Sequence, residues 1–344
     1  MRKATYQDAG VDIDAGARAV ELMKEAVRST HGAAVVRGPS DFGGMIGLGA
    51  PYHDPVLVGG TDSVGTKLKI AFLLDRHDTV GQDCVAMCVD DVACQGATPL
   101  LFLDYLGIGK LIPEKVADIV KGVAEGCRLA GCALLGGETA ELPGLYAQGE
   151  YDLVGFAVGV VERARIIDGS AVAAGDLVVG LPSSGLHSNG YSLVRYVLLE
   201  QQKMDLAAEV PELGRTLGEE LLEPTRIYAG SLARLFRDGP APHAIAHITG
   251  GGIAGNLVRC IPDGLTACVE MARFDRPPIF DLIQRLGNVE EPEMRRTFNL
   301  GLGMVLVVGA DDCDATVGRL SEAGECPIVV GAVRADGPGG AVLV

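Results

Sequence analysis

The stretch GGTDSVGTK, Gly59 to Lys67, gathers a carboxylate, a hydroxyl and an amine in a glycine-rich segment that follows an apolar run. Glycines let backbone N–H groups approach a ligand closely, which invites comparison with a phosphate-binding loop. Gly60 and Gly65 have that loop's spacing, but Thr66-Lys67 follows where Lys and then Ser or Thr are required, and Asp62 lies inside. A carboxylate there repels phosphate unless it holds a magnesium ion. Asp62 is therefore expected to be a metal ligand, Lys67 a phosphate neutraliser and Thr66 a hydroxyl contact. The plainer alternative is a solvated turn in which Asp62 and Thr66 cap the backbone.

Asp90 and Asp91 end the apolar-patterned stretch AMCVDDVACQ. Two adjacent acids among apolar residues are costly to bury without a cation or hydrogen bonds, and on a helix they diverge by about 100°. Asp91 is expected to meet metal. Glu138 and Glu141, in GGETAELPG, are either a capped turn or a further carboxylate for magnesium. His187, in LPSSGLHSNGYSL, is expected to be a loop histidine that contacts ligand or moves a proton, whereas His247 inside AIAHIT is expected to be structural. No serine near His187 has glycines two residues away on both sides, so an acyl-enzyme hydrolase is not expected.

The elements that must position these groups alternate. Helical spacing marks Gly16 to Thr30, with Lys24 and Arg28 on its outer face, and Asp83 to Cys94, while Pro113 at a first turn and Gly131 past the end bracket another helix. Strands are expected at Val56, Leu100 to Leu106, Cys132 to Leu135, Tyr151 to Val161, Asp176 to Leu181, Ala244 to Thr249 and Gly301 to Val308. Further helices are expected at Gly190 to Leu199, Arg226 to Arg237, Gly252 to Cys260 and Pro278 to Leu286. Four strands each lead into a glycine-rich turn before a helix: Gly59 to Lys67, Gly136 to Gly144, Ser183 to Gly190 and Thr249 to Gly255. Four such turns favour a ligand with several phosphates. The segment 37–51 is expected to be a linker or a mobile loop over ligand. The class is α/β (α+β), in two domains, 1–168 and 169–344.

The chain's 344 residues carry 45 acidic and 29 basic side chains, a formal charge of −16, which disfavours nucleic acid and anionic membranes as partners but leaves small phosphates open. Aromatics are only 5% and tryptophan is absent, so base-stacking platforms are unexpected too. Nine cysteines, without a C-x-x-C pair, read as reduced core residues of a cytoplasmic protein.

The motifs YQDAGVDIDAG, GGTDSVGTKLK, VAMCVDDVACQGATPLLFLDY, GGETAELPG, SSGLHSNGYSL, HITGGG and FNLGLGM, in this order, resemble phosphoribosylformylglycinamidine cyclo-ligase, also called aminoimidazole ribonucleotide synthetase. The resemblance runs from Tyr6 to beyond Met304. It implies an ATP- and magnesium-dependent ring closure in purine biosynthesis, carried out by a homodimer whose N-terminal domain supplies the dimer interface and much of the ATP site. Position by position it implies that Lys24 and Lys67 contact ATP phosphates, with Asp62 and Asp91 metal-associated and Glu138 near the nucleotide. His187, Ser188 and Asn189 would face substrate, and Thr249, Gly250, Gly251 and Gly252 would cradle a phosphate. Two departures stand out: Asp90-Asp91 where the family often has Asn-Asp, and Pro39-Ser40-Asp41-Phe42 in the glycine-rich loop. Sister enzymes such as selenophosphate synthetase are disfavoured because 37–51 holds no cysteine. A non-catalytic nucleotide-binding scaffold is disfavoured by Asp62, Lys67, Asp91 and His187 occurring together.

Overall fold

The computed structural model describes residues 5–6, 9–38 and 43–344. Residues 39–42 of the expected loop therefore lie outside the described residues. In chain order the elements are α1 (Ile13–Arg28), β1 (Val35–Arg37), β2 (Met45–Ile46), β3 (Pro55–Ser63), α2 (Leu68–Leu74), α3 (Val80–Ala93), β4 (Thr98–Ile108), α4 (Pro113–Ala130), β5 (Ala133–Glu141) and β6 (Tyr151–Glu162). There follow β7 (Leu177–Pro182), α5 (Tyr191–Val194), β8 (Glu209–Val210), β9 (Arg215–Thr216), α6 (Leu217–Leu221), α7 (Ala229–Asp238), β10 (Ala244–His247) and α8 (Gly252–Leu257). The last are β11 (Thr266–Val269), α9 (Pro278–Gly287), α10 (Glu291–Thr297), β12 (Leu302–Val308), α11 (Cys313–Glu322), β13 (Ile328–Arg334) and β14 (Gly340–Leu343).

Two sheets carry the α/β architecture. The first runs β3-β6-β4-β5, with β4 and β5 parallel and the other neighbours antiparallel. Along β4, Phe102, Asp104, Leu106 and Ile108 face inward while Leu103 and Tyr105 face out, the period-two pattern of a sheet covered on one side. The covering layer is α3 and α4, with α1 packed on α4. The ends of α4 follow from its sequence: Pro113 opens it, and Gly131 closes it at φ +74° in the left-handed region. The second sheet runs β10-β12-β7-β13-β11-β14, antiparallel but for β11 and β14. Its strand β12 is buried at every residue.

Helix α3 is the joint between the halves. Twelve of its residues are buried, because it lies between the first sheet and α7 of the second half. One apolar cluster accordingly runs from Ala19 to Leu320 across both halves.

Two of the four expected turns are not turns. Gly59 to Ser63 and Gly136 to Glu141 are strand, paired residue by residue with β6 and β4. Gly137 is required by close packing: a Cβ there would lie 2.3 Å from Asp104 Oδ1. The Ser183 to Gly190 segment is a loop, as expected, whereas the turn expected over Thr249 to Gly255 ends early, because α8 begins at Gly252. The helix expected over Gly190 to Leu199 is divided, α5 widening into a π-helical stretch at Arg195–Gln201.

Candidate active site

The expected site residues fall into two groups on opposite edges of the first sheet. Asp62 lies on β3 and Glu138 on β5, with β6 and β4 between them. Three strand spacings make roughly 14 Å. Within one protomer Glu138 therefore does not join Asp62 and Asp91 as a third carboxylate.

The first group surrounds the end of α3. Asp91 is half-exposed, and its Oδ1 accepts a hydrogen bond from His247 Nδ1 at 2.9 Å. Asp62 accepts from the amide of Ser63 at 2.7 Å, and burial together with the charge of Asp91 raises its carboxyl pKa. His247 is buried on β10; its pKa is pulled down by burial but raised overall by Asp91, Asp90 and Asp62, and its Nε2 has no partner among the described residues. This histidine is structural in being strand-borne, yet it stands among three carboxylates, which the sequence reading missed. Only its place just before the glycine turn could have signalled it.

Asp90 answers the question posed by the adjacent acids. It is fully buried, and its Oδ1 accepts from the amides of Tyr228 and Ala229 at 2.9 and 2.8 Å, capping the start of α7. Burial nonetheless pushes its carboxyl up to about 7. Thr66 is exposed, 3.3 Å from Ser192 Oγ.

His187 is in a loop but is not solvent-facing: it is 1% exposed, with a left-handed φ of 60°. Its Nε2 accepts from the Ser184 amide at 3.2 Å, which assigns the ring proton to Nδ1, a buried donor without a partner among the described residues. Burial and the neighbouring positive charges hold its pKa well below 6.5, so the ring is a neutral imidazole. Ser188 donates to the Val64 carbonyl at 2.7 Å. Asn189 accepts from the Gly250 amide at 3.2 Å and so joins the two loops.

The turn Thr249 to Gly252 is braced from within. Asn256 Nδ2 donates to the carbonyls of Thr249, Gly250 and Gly252 at 3.3, 3.2 and 2.9 Å. Gly252 has φ +67°, and a Cβ there would lie 1.9 Å from the Arg295 carbonyl oxygen, so only glycine fits. Gly250 and Gly251 are exposed.

Lys67 requires a correction. Expected to neutralise phosphate, it is 0% exposed and bonded to Asp83, to the His187 carbonyl and to the Glu223 carbonyl. A lysine has three donors and all three are used.

The second group lines a cavity of about 620 Å³ between α1 and the β5 edge. Lys24, Arg28, His31, Glu138 and Thr139 line it among Ala19, Met23, Val27 and Leu134, with Asp104 also in the wall. Asp104 is 9% exposed, and burial pushes its carboxyl up to about 7. Glu141, one strand turn on, accepts from the amides of Asp12 and Leu111 at 2.7 and 2.9 Å and is a capping residue.

Among the described residues, no three His, Cys, Asp or Glu side chains form a metal cage. Asp62 and Asp91 are close enough for the charge of one to act on the other, and a magnesium ion commonly takes one or two carboxylates and completes its shell with water and substrate phosphates. No helix among the described residues is long and apolar enough to cross a membrane.

Comparison with known proteins matches residues 18–161 to the N-terminal domain of AIR synthase related proteins and 173–344 to the C-terminal domain. Phosphoribosylformylglycinamidine cyclo-ligase of Anaeromyxobacter dehalogenans is 56% identical over 336 residues, 97% of each chain. That of Geobacillus kaustophilus is 55% identical over 334 residues, covering 97% of this chain and 96% of the relative. Among solved structures, thiamine-monophosphate kinase from Stenotrophomonas maltophilia superposes with a TM-score of 0.65 at 19% identity, covering 94% of this chain and 95% of that one. The hydrogenase maturation protein HypE in complex with ATP gives 0.64 at 15%, covering 95% and 90%. These distant likenesses share the fold. On the sequence matches, which span both domains, the chain belongs to the phosphoribosylformylglycinamidine cyclo-ligase family.

Proposed function

We propose that this protein closes the imidazole ring of formylglycinamidine ribonucleotide, giving 5-aminoimidazole ribonucleotide, ADP and phosphate. The observation that carries this reading is the 56% identity over 97% of both chains to a cyclo-ligase. The inventory of the site agrees with the chemistry. The formyl oxygen, a poor leaving group, attacks the γ-phosphorus of ATP and expels ADP. The ring-closing nitrogen then attacks the formyl carbon, the C–O bond breaks, phosphate leaves with that oxygen, and the nitrogen gives up its proton. No enzyme nucleophile is needed, so positioning and charge stabilisation must supply the rate.

Lys24 and Glu138, on the α1 cavity, and Thr66 on the other edge are assigned to ATP. Asp62 and Asp91 would hold magnesium, which supplies positive charge to the transferring phosphoryl group. The exposed Gly250 and Gly251 turn is suited to the substrate phosphate. The neutral His187 ring, with its unpartnered Nδ1–H, is suited to hold the formyl group by donating a hydrogen bond, and its depressed pKa argues against proton donation from an imidazolium. Ser188 and Asn189 support this loop through Val64 and Gly250.

A homodimer is supported by the outer face of the first sheet. Leu57 and Phe156 there are 64% and 43% exposed, and Leu103 and Thr61 pair with Phe156 in one cross-strand row. A second copy laid on this face would bury an apolar surface that a monomer leaves in water. A division near residue 168 and a cytoplasmic location, with nine free thiols, complete the reading. The test is direct: purified protein, formylglycinamidine ribonucleotide, ATP and magnesium are expected to yield aminoimidazole product and one phosphate per turnover. Folded protein that gives none sinks the proposal.

A further inference from the structure

Lys67 ends a short 3₁₀ turn, Gly65–Lys67, ahead of α2. Its Nζ donates to Asp83 Oδ1 at 2.8 Å, to the His187 carbonyl at 3.1 Å and to the Glu223 carbonyl at 2.6 Å. Two of these three acceptors belong to the C-terminal half. Asp83, fully buried on α3, is itself tied across the joint by the amide and hydroxyl of Thr225, at 2.8 and 2.7 Å. The lysine thus grips the backbone of His187 at a residue whose φ of 60° is in the left-handed region, a conformation that persists only where surroundings hold it. Burial pushes the Lys67 ammonium down and the Asp83 carboxyl up, and each charge opposes the other's shift.

We propose that Lys67 and Asp83 are positioning residues for the ring closure: the buried pair fixes the loop 183–190, and with it the His187 imidazole, and does not touch ATP. The proposal rests on the reading that His187 meets the amidine substrate. Removing one charge alone leaves the other buried and unpaired, so the informative variant removes both, K67M/D83N. T225V is the milder companion, keeping the ion pair but loosening Asp83.

Steady-state kinetics of wild type, K67M/D83N, T225V, H187N and the triple variant K67M/D83N/H187N, with ATP and formylglycinamidine ribonucleotide varied separately, test it. For K67M/D83N, kcat/KM for the amidine is expected to fall about 30-fold or more while the KM for ATP stays within about threefold of wild type. In the H187N background the same change should cost less than about threefold, because its effect passes through His187. T225V should move in the same direction by about three- to tenfold, which keeps the test decisive if the double variant fails to fold. A KM for ATP raised about tenfold with unchanged amidine constants overturns the proposal. So does full multiplication of the two effects in the triple variant, or a T225V enzyme indistinguishable from wild type. Wild-type turnover by H187N instead sinks the reading of His187 itself, and the proposal with it.

Discussion

Asp104 offers a sharp test of the electrostatics, because its substitution by asparagine changes one proton and almost no volume. Its carboxyl sits on the inner face of β4, 9% exposed, with no ion pair among the described residues, and burial raises its pKa from 3.8 to about 7. For an acid whose pKa is raised by folding, stability is fully present below the unfolded value and is lost as pH rises through the folded one. The loss totals about 4 kcal/mol at 1.36 kcal/mol per tenfold change in proton affinity. Between pH 5 and pH 8 the linkage relation gives about 2.5 kcal/mol of it, since the unfolded carboxyl is already mostly ionised at pH 5. Asp104→Asn removes this dependence and leaves a constant offset for the amide. The Tm of the variant minus that of wild type is therefore expected to be larger at pH 8 than at pH 5, by roughly 5–10 °C at 2–4 °C per kcal/mol. Calorimetry of both proteins at the two pH values measures it. The same Tm difference at both, within about one degree, would refute the claim that this carboxyl is buried without compensation.

Asp90→Ala is expected to destabilise by about 2–4 kcal/mol in urea titrations, since it orphans two buried amides at the start of α7, whereas Asp90→Asn keeps the acceptor and costs less than about 1 kcal/mol. Phe156→Glu sets a charge in the centre of the exposed apolar row on the first sheet. It is expected to give a folded monomer by sedimentation velocity where wild type gives a dimer.

The amphipathic and capped elements were legible in the sequence because their signals are local. The α4 boundaries follow from Pro113 and Gly131, and α9 from Pro278. The sequence places a turn after Leu135 because Gly-Gly at 136 and 137 reads as one, while in the fold both are strand and Gly137 leaves room for the Asp104 carboxyl beside it. Strands β11, β13 and β14 passed unread, since short apolar runs among turns carry no period of their own. At the site, residue types and motif order pointed to Asp62, Asp91 and His187. Partner choice was invisible: nothing near Lys67 in sequence announces Asp83, Glu223 or the His187 carbonyl, which lie 16, 156 and 120 residues away. The phosphate-loop comparison and the family resemblance both point Lys67 at phosphate, and neither carries the long-range contacts that bury it.

The same reasoning explains why an acidic chain buries acids along one helix. Asp83, Met87, Asp90 and Asp91 are spaced by four, three and one residues, which sets them on one side of α3. Each reaches the C-terminal half: Asp83 holds Thr225, Met87 sulfur receives Asn189, Asp90 caps α7 and Asp91 holds His247. An apolar stripe would also hold the halves together, but hydrophobic burial is non-directional and does not by itself select one register to within an ångström or so. Hydrogen bonds to fixed amides and to one lysine fail at that displacement. A reaction that needs a formyl oxygen aligned on phosphorus and then a nitrogen aligned on carbon depends on such register between the halves. The carboxylates of α3 are accordingly divided: Asp91 is exposed and meets His247, while Asp83 and Asp90 lie inside, where they hold the two halves in place.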